Sequence, residues 1–233
     1  LALLAASALP DRAADARAAT LAARAVLAAG LAFGTAMVGA LAHVAWGTLA
    51  TPTLGAPGLG FALYYDRLTA IVFALVALVG LVVVRFSRHY MAGDPRHGRF
   101  TKWLVLTLAA VLLLILSGNL VQLVLAWIAT SLGLQRLLVF YRERPAAVLA
   151  ARKKFVASRL GDLCLVGAAL LAWQLFGSLD YPDLFSGARA LQDAGTLPSA
   201  AHGLAGLLVV AALLKSAQFP MHAGPVRLRS QSP

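Results

Sequence analysis

The sequence predicts an all-α, polytopic bundle of transmembrane helices, and its composition and hydropathy are the observations that predict it. The 233 residues are 61% hydrophobic and 12% charged, with a mean hydropathy of +0.81. Soluble domains are about 25% charged, and one soluble core of this size cannot bury so much apolar sequence. Apolar runs of about 20 residues, long enough to cross a bilayer as a helix, recur along the chain.

We expect about six complete spans preceded by a partial one. The partial span is the apolar run LALLAASAL at residues 1–9, which is too short to cross a bilayer. We interpret it as the cytoplasmic end of a helix, and a signal-peptide remnant is the alternative, although the basic segment of such a peptide is missing. The complete spans are expected at residues 25–49, 68–84, 103–116, 120–140, 155–176 and 201–219.

The loops between these spans differ in character. A Pro/Gly-rich loop occupies residues 51–60, and a polar loop occupies residues 85–102. Ser117-Gly118-Asn119 separates two spans that follow almost without a break, and Gly-Asn favours a tight turn. A loop rich in Asp, Pro and Gly precedes the last span.

The charges divide unequally between the two sides that these spans define. One side receives only two cations, Arg67 and Arg189, together with four aspartates. The other side receives fifteen cations: Arg12, Arg17, Arg24, Arg85, Arg88, Arg96, Arg99, Lys102, Arg142, Arg144, Arg152, Lys153, Lys154, Arg227 and Arg229. The positive-inside rule places these basic loops in the cytoplasm, so the expected location is a bacterial-type inner membrane. The net charge of +11 then indicates topology and contact with anionic lipid, not a nucleic-acid partner.

Sequence signals of soluble enzymes and metalloproteins are absent. The chain contains no Gly-rich phosphate loop, no HExxH and no GxSxG. The spacing of its His, Cys and acidic residues makes no zinc site, and the single cysteine, Cys164, excludes an internal disulfide. We therefore expect no cofactor and no metal site in this chain.

Lys215 is the most informative polar residue, because ionisable groups at membrane depth commonly mark ion or proton pathways. It opens the segment KSAQFPMH. Pro220 cannot donate to the carbonyl of Ser216, which leaves that oxygen for water or an ion. A buried lysine can take and release protons, and His222 is of the residue type best suited to proton exchange near neutral pH. The alternative is that Lys215 lies near the helix end and extends to the interface.

Arg159 and Asp162 lie three residues apart in another predicted span. This spacing puts them on one helix face, where they can form an ion pair. Taken alone, the spacing favours a purely structural pair that allows the helix to insert over a functional one, because ion pairs commonly serve structure.

Several segments resemble the antiporter-like proton-channel subunits, namely the large membrane subunit L of respiratory complex I and its relatives in multi-subunit sodium/proton antiporters. The segments are DRLTAIVF at 66–73, YMAGDPRHGRF at 90–100, KKFVASRLGDLCL at 153–165 and, most specifically, KSAQFPMH at 215–222. Through this resemblance Lys215 corresponds to the family's proton-handling lysine, and Asp162 and Arg159 correspond to its polar pair. His222 corresponds to the histidine after the Phe-Pro break of antiporter relatives.

One departure from that family narrows the resemblance. Complex I and antiporter subunits carry an intramembrane Glu after a Trp on the fifth helix, whereas Ile128 follows Trp127 here. This segment looks instead like the membrane subunit of an energy-coupled inorganic carbon pump, the DabB type. The resemblance implies a proton path coupled to a large DabA-type partner with a carbonic-anhydrase-like zinc site, the zinc belonging to the partner.

The resemblance also suggests a domain organisation. Residues 1–222 correspond to the N-terminal half of an antiporter-like subunit, and residues 223–233, AGPVRLRSQSP, depart from the family as an aberrant or truncated tail. The favoured function is a proton-conducting membrane subunit of a bicarbonate or carbon dioxide uptake complex, a transporter subunit more than an enzyme. A proton-translocating subunit L of NADH:quinone oxidoreductase, a cation/proton antiporter subunit and a non-conducting truncated scaffold remain as alternatives.

Overall fold

Six long helices make up most of the described part of the chain, as the sequence predicts. A computed structural model describes residue 3 and residues 10–55, 58, 60–141, 145–195 and 197–216, with the backbone alone at 145–150. Within these residues six helices are long and apolar enough to cross a membrane. In chain order the described helices are α1 (Asp11–Ala16), α2 (Ala18–Trp46), α3 (Arg67–Tyr90), α4 (His97–Ile115), α5 (Leu120–Leu138), α6 (Pro145–Phe176), α7 (Tyr181–Asp193) and α8 (Ser199–Ser216).

These helices confirm the predicted all-α membrane fold and the number of complete spans. Even the 19-residue helices α4 and α5 are about 28 Å long at 1.5 Å per residue, close to the thickness of the hydrocarbon core. Apart from Leu3, which is helical and buried, the predicted partial span lies outside the described residues. Pro220, His222 and the predicted tail 223–233 lie outside them as well.

The helices around residues 85–102 are longer than the sequence predicts. The expected polar loop is largely helical, because α3 continues to Tyr90 and α4 begins at His97. Arg88 and His89 lie in the last turn of α3, where cations are favourable to the helix dipole. Hydropathy alone ends a span where charges begin, although long side chains let a helix continue through the interface.

A second difference lies between the last two spans, where we expected a loop and the structure has α7. Asp180 precedes this helix and Pro182 lies in its first turn, a position that tolerates the fixed backbone angle of proline. Leu184 packs on the cluster formed by Leu120, Ala172 and Leu179. The helix is too short and too polar to span a bilayer, which is why the hydropathy pattern does not reveal it.

The six spans pack through small residues, as membrane helices commonly do. Helices α2, α3 and α4 share one apolar core that includes Phe73, Val84 and Val105. Helix α4 packs on α5, α5 on α6, and α6 closely on α8. Gly133 of α5 allows the close approach of α4, since a Cβ there would lie 3.2 Å from the Thr107 Cβ and 3.3 Å from its Cα.

Two acidic residues of α1 tie it to the start of α4. The Asp15 carboxylate accepts a hydrogen bond of 2.6 Å from the Arg99 backbone N–H, in the first turn of α4. Asp15 therefore caps α4 from another helix, because the side chain of the N-cap residue Arg96 makes no capping hydrogen bond. Asp11 lies 3.0 Å from the Lys102 Nζ and 3.6 Å from Arg99. We call described residues 10–17, 91–102 and 139–141 the basic end.

A second contact at the basic end joins the α3–α4 turn to the residues after α5. The Tyr141 hydroxyl donates to Asp94 at 2.9 Å, and the Arg96 backbone N–H donates to the same carboxylate at 2.7 Å. Both bonds lower the pKa of Asp94, and the bond from the Arg96 N–H has the larger effect. The bond to Asp94 raises the pKa of Tyr141 above its usual 10.

The opposite end of the bundle is held by a small antiparallel pairing and by buried amides. Strands β1 (Leu49–Ala50) and β2 (Tyr64–Tyr65) pair on either side of the predicted Pro/Gly loop. Asn119 is fully buried, caps α5 by accepting from the Gln122 N–H at 2.7 Å, and donates to the Gly60 carbonyl at 2.7 Å. The loops therefore gather in two groups at opposite ends, the grouping on which the predicted charge division depends.

We expect Asn119→Ala to lower the free energy of unfolding by about 1–3 kcal/mol, because it removes a helix cap and leaves buried backbone groups unpaired. Asn119→Ser keeps a capping oxygen and loses only the donor to Gly60, so it should lose less. Reversible unfolding of the purified protein in mixed detergent micelles measures both. Equal stability of Asn119→Ala and the unmodified protein would contradict this role.

The Asp94–Tyr141 contact makes a pH-dependent contribution whose sign follows from the lowered pKa of Asp94. Its stabilisation is present above the unfolded carboxyl pKa of about 4 and is lost as the pH falls through the lower folded value. In Asp94→Asn the pKa of Tyr141 should return toward 10. Ultraviolet difference absorbance against pH detects that change, and an unaltered titration of the tyrosines would refute it.

Candidate functional site

Lys215 lies at the penultimate position of α8, and its side chain turns toward α5. Its ammonium donates to the Ser131 hydroxyl, and it lies 3.4 Å from the Trp127 carbonyl oxygen. The same Nζ sits 4.5 Å from the centroid of the Trp127 ring, a favourable cation–π distance. Trp127 and Ser131 are four residues apart, so one face of α5 presents both to Lys215. The side chain is half-buried against this face.

Arg159 and Asp162 form the ion pair that their spacing on α6 predicts. The Arg159 Nη2 and the Asp162 Oδ2 lie 2.8 Å apart, although not in line for a hydrogen bond. The Asp162 side chain is 7% exposed and that of Arg159 is 34% exposed. The Arg159 guanidinium also lies 5.2 Å from the centroid of the Phe155 ring, so it is held on two sides.

The close packing of α6 on α8 brings this pair into the field of Lys215. Asp162 attracts the Lys215 ammonium, and the cations Arg159 and Lys154 repel it. Gly161, beside Asp162, lies at this contact, where a Cβ would be 3.6 Å from the Ala211 carbonyl oxygen. Three of the four predicted site residues therefore interact within one cluster, which joins α6 and α8 and touches α5 through Lys215.

Ile128 has a structural role at the position where the family resemblance leads one to expect a carboxylate. It is half-buried and packs on the cluster of Val124, Leu165 and Ala211, where α5, α6 and α8 meet. The polar contact that α5 makes with Lys215 comes instead from Ser131, one helical turn further on. Helix α5 contains no acidic residue, so it contacts the Lys215 ammonium through the neutral Ser131 hydroxyl and the Trp127 carbonyl.

Sequence analysis missed Ser131 and the Trp127 carbonyl as partners of Lys215. They are 84 and 88 residues from Lys215 in the chain, so no local motif connects them with it. Their spacing on one face of an apolar helix is a weak signal, because serine in membrane helices often bonds to its own backbone. Ser131 does so as well, donating to the Trp127 carbonyl at 3.1 Å.

The cluster has the elements of a proton relay. An amine can bind and release a proton, and a nearby carboxylate can stabilise the charged form of that amine. Ionisable groups that face the interior of a helix bundle are the usual components of such relays. The described residues contain no group of three His, Cys, Asp or Glu side chains that could hold a metal ion. The fourth predicted site residue, His222, lies outside the part of the chain that the structure describes.

Two family models match the chain. One is described as NADH:quinone oxidoreductase/Mrp antiporter, TM, and matches residues 117–224. The other is described as NADH-Ubiquinone oxidoreductase (complex I), chain 5 N-terminus, and matches residues 53–101. Together they cover about two thirds of the chain, including Lys215 and its partners on α5 and α6.

Curated relatives of the chain include inorganic carbon transporter subunits. The probable subunit DabB2 of Halothiobacillus neapolitanus is 42% identical over 164 residues, which are 70% of this chain and 29% of the relative. The probable subunit DabB of Hydrogenovibrio crunogenus is 39% identical over 67% of this chain and 30% of its own length. NADH-quinone oxidoreductase subunit L of Mycobacterium tuberculosis is 37% identical over 70% of this chain and 25% of that subunit. The aligned region thus spans about a third of these relatives or less.

Solved structures share the fold. The archaeal membrane-bound sulfane sulfur reductase contains a chain that matches with a TM-score of 0.73 and 16% identity, over 95% of this chain and 45% of that one. A chain of the Mrp complex from Dietzia sp. matches with a TM-score of 0.70 and 24% identity, over 95% of this chain and 24% of that one. The matches to the two family models and to the curated relatives show that the protein belongs to the family of antiporter-like membrane subunits shared by NADH:quinone oxidoreductases and Mrp antiporters.

Proposed function

We propose that this chain is a proton-conducting membrane subunit of an inorganic carbon uptake complex. The observation that carries the proposal is the cluster of Lys215, Asp162 and Arg159 inside a family whose relatives include inorganic carbon transporter subunits. The DabB relatives at 39% and 42% identity favour inorganic carbon over other cargo. Since the aligned region covers about a third of those relatives, the activity of a whole subunit is part of the proposal.

In the proposed mechanism the Lys215 amine binds a proton on one side of the barrier and releases it on the other. Asp162 favours the charged amine, while Arg159 and Lys154 disfavour it. A change in the Arg159–Asp162 contact would therefore change how readily Lys215 holds its proton. Ser131 and the Trp127 carbonyl keep the ammonium oriented toward α5. His222 is proposed to continue the path beyond Ser216.

The proposed orientation follows from the distribution of charge. The basic end joins loops that carry most of the cations, so we assign it to the cytoplasm of an inner membrane. The opposite end, with Asp66, Asp180 and Asp183, would face the outside. Protons would then enter from the acidic end and leave near the basic one.

The proposed partner is a large DabA-type subunit with a carbonic-anhydrase-like zinc site of its own. Inward proton flow through the membrane subunit would drive hydration of carbon dioxide in the partner in one direction. The names of the DabB relatives support an assembly of several subunits, since each is called a subunit of a transporter. The described residues of this chain would supply the proton path and the membrane anchor.

A subunit of a respiratory NADH:quinone oxidoreductase is the second candidate, favoured by the 37% identity with subunit L of Mycobacterium tuberculosis. Ile128 weighs against it, because the resemblance to that family leads one to expect a glutamate at this position. Purification of the native complex separates the two candidates. Quinone-reducing subunits would favour respiration, and a large zinc-binding subunit would favour carbon uptake.

We expect Lys215→Ala to abolish proton conduction, because no other amine occupies its place on α8. Proton flux into vesicles that contain the protein with its neighbouring subunits should fall about 100-fold, the contribution typical of a positioned proton-transfer group, until the background leak limits it. A pH-sensitive dye inside the vesicles measures the flux. In cells, the same variant should fail to support growth at air levels of carbon dioxide.

Lys153→Ala is the matched control, since it removes the same charge from an exposed position of α6. Its flux should equal that of the unmodified protein. Undiminished flux in Lys215→Ala would sink the proposed role of the lysine. Absence of flux in the unmodified protein would instead favour the non-conducting scaffold.

Asp162→Asn separates a functional ion pair from a purely structural one. It keeps the shape of the side chain and removes the charge that attracts Lys215 and holds Arg159. If the pair serves conduction, flux per folded molecule should fall at least about tenfold, as loss of a charged contact within a relay commonly does. If the pair serves only insertion, the amount of folded protein should fall while flux per molecule stays unchanged. Flux divided by the folded fraction from size-exclusion chromatography decides between them.

A further inference from the structure

An apolar groove runs along the outer surface of the bundle between α3 and α4. Its volume is about 350 Å³, within the range of ligand-binding sites. Its walls are apolar except for one threonine, and are formed by Leu75, Val76, Val79, Gly80, Val83, Val84, Leu104, Thr107, Leu108 and Val111. None of this lining offers a polar anchor for a water-soluble ligand beyond Thr107, whose hydroxyl donates to the Trp103 carbonyl.

The groove runs along the helix axes, which is the direction of a lipid tail in a bilayer. Its α3 wall extends from Leu75 to Val84, about 14 Å along the helix axis at 1.5 Å per residue. Val84 and Leu104 mark the limit nearer the basic end. The groove therefore begins about two helical turns below Tyr90 and penetrates into the hydrocarbon region.

Aromatic side chains mark the headgroup level above the groove. Phe86 and Tyr90 continue the α3 wall toward the basic end, are both exposed, and stack with ring centroids 5.7 Å apart. Trp103 lies one turn above Thr107 on α4. Exposed aromatic residues at this depth are typical of the membrane–water interface.

Arg136 provides a cation beside this aromatic rim. It lies in the last turn of α5, is exposed, and holds its guanidinium 5.3 Å from the centroid of the Trp103 ring. Gly133, one turn below Arg136, faces Thr107 on the groove wall. Among the described residues no carboxylate lies within ion-pair distance of Arg136. Lys102, which also lies over Trp103 at 5.4 Å, is already paired with Asp11.

We propose that this groove is a binding site for an anionic phospholipid, with an acyl chain between α3 and α4 and the phosphate on Arg136. Charge complementarity identifies the occupant, because the exposed cation stands one helical turn beyond the apolar walls. A guanidinium can bind a phosphate through two hydrogen bonds, and in an anionic lipid no choline cation of the same headgroup balances that phosphate. Trp103 fixes the guanidinium in place and limits the entropy that it loses on binding.

A second apolar groove, between α5 and α6, serves as a comparison for the first. It is lined by Val121, Val124, Leu125, Val166, Ala169, Leu170, Trp173 and Leu179, near the opposite end of the bundle. Neither lining contains a lysine or an arginine, but Arg136 stands beyond the walls of the first groove, at the other end of the bundle from the second. Any lipid that occupies it is held through its tails, so it should not distinguish one headgroup from another.

The test compares lipids that differ only in charge. Native mass spectrometry of the detergent-solubilised full chain, titrated with phosphatidylglycerol or with phosphatidylcholine of the same acyl chains, measures the bound fraction. The unmodified protein should prefer phosphatidylglycerol. Arg136→Gln should weaken its binding about fivefold, the effect expected of one interfacial cation, and should leave phosphatidylcholine unaffected.

Arg85→Gln is the matched control, since Arg85 is exposed at the same end but lies on the side of α3 away from Val79 and Val83. It should leave the preference unchanged. Val79→Trp should fill the groove and reduce binding of both lipids, whereas Leu125→Trp in the second groove should leave the preference for phosphatidylglycerol intact. Equal affinity for the two lipids, equal losses in Arg136→Gln and Arg85→Gln, or full binding in Val79→Trp would each overturn the proposal.

Discussion

A charge inside hydrocarbon requires a partner, and this requirement governs the part of the structure in which function is concentrated. Charged groups at the centre of a bilayer cost about 2.5–3.5 kcal/mol each on insertion scales. Asp162 meets that requirement through Arg159 on its own helix, and Lys215 meets it through a hydroxyl, a carbonyl and an indole ring of α5. The packing of α8 on α6 and its contact with α5 are therefore as much a matter of charge as of apolar surface.

The sequence predicted the helices far better than it predicted their contacts. Apolar runs of the length of a bilayer identify a span because the hydrocarbon imposes that length, so all six spans were predictable. Helix α7 was not, because a short amphipathic helix outside the hydrocarbon satisfies no such constraint. Arg159 and Asp162 pair across three residues, a spacing that is visible in the chain. Ser131 meets Lys215 across 84 residues, which only the packing of two helices can reveal.

Ile128 changes what α5 contributes to the cluster. A carboxylate beside Lys215 would balance its charge within α5, but the side chain there is apolar and packs against Leu165 and Ala211. Asp162 is then the acid on α6 that acts on Lys215. The electrostatic balance of the cluster thus depends on the contact of α6 with α8, so a small movement between these two helices would alter it more than a movement of α5.

The cap that Asp15 provides for α4 also sets an order of events during synthesis. Asp15 leaves the ribosome 84 residues before Arg99, the residue whose N–H it accepts. At about 5–20 residues per second, α1 waits roughly 4–17 seconds for its partner, while α2 and α3 are already being inserted. The contact between Asp15 and the Arg99 N–H can form only after the first turn of α4 has been synthesised. The contacts between α1 and α4 at the basic end therefore form late, after α2 and α3 have been synthesised.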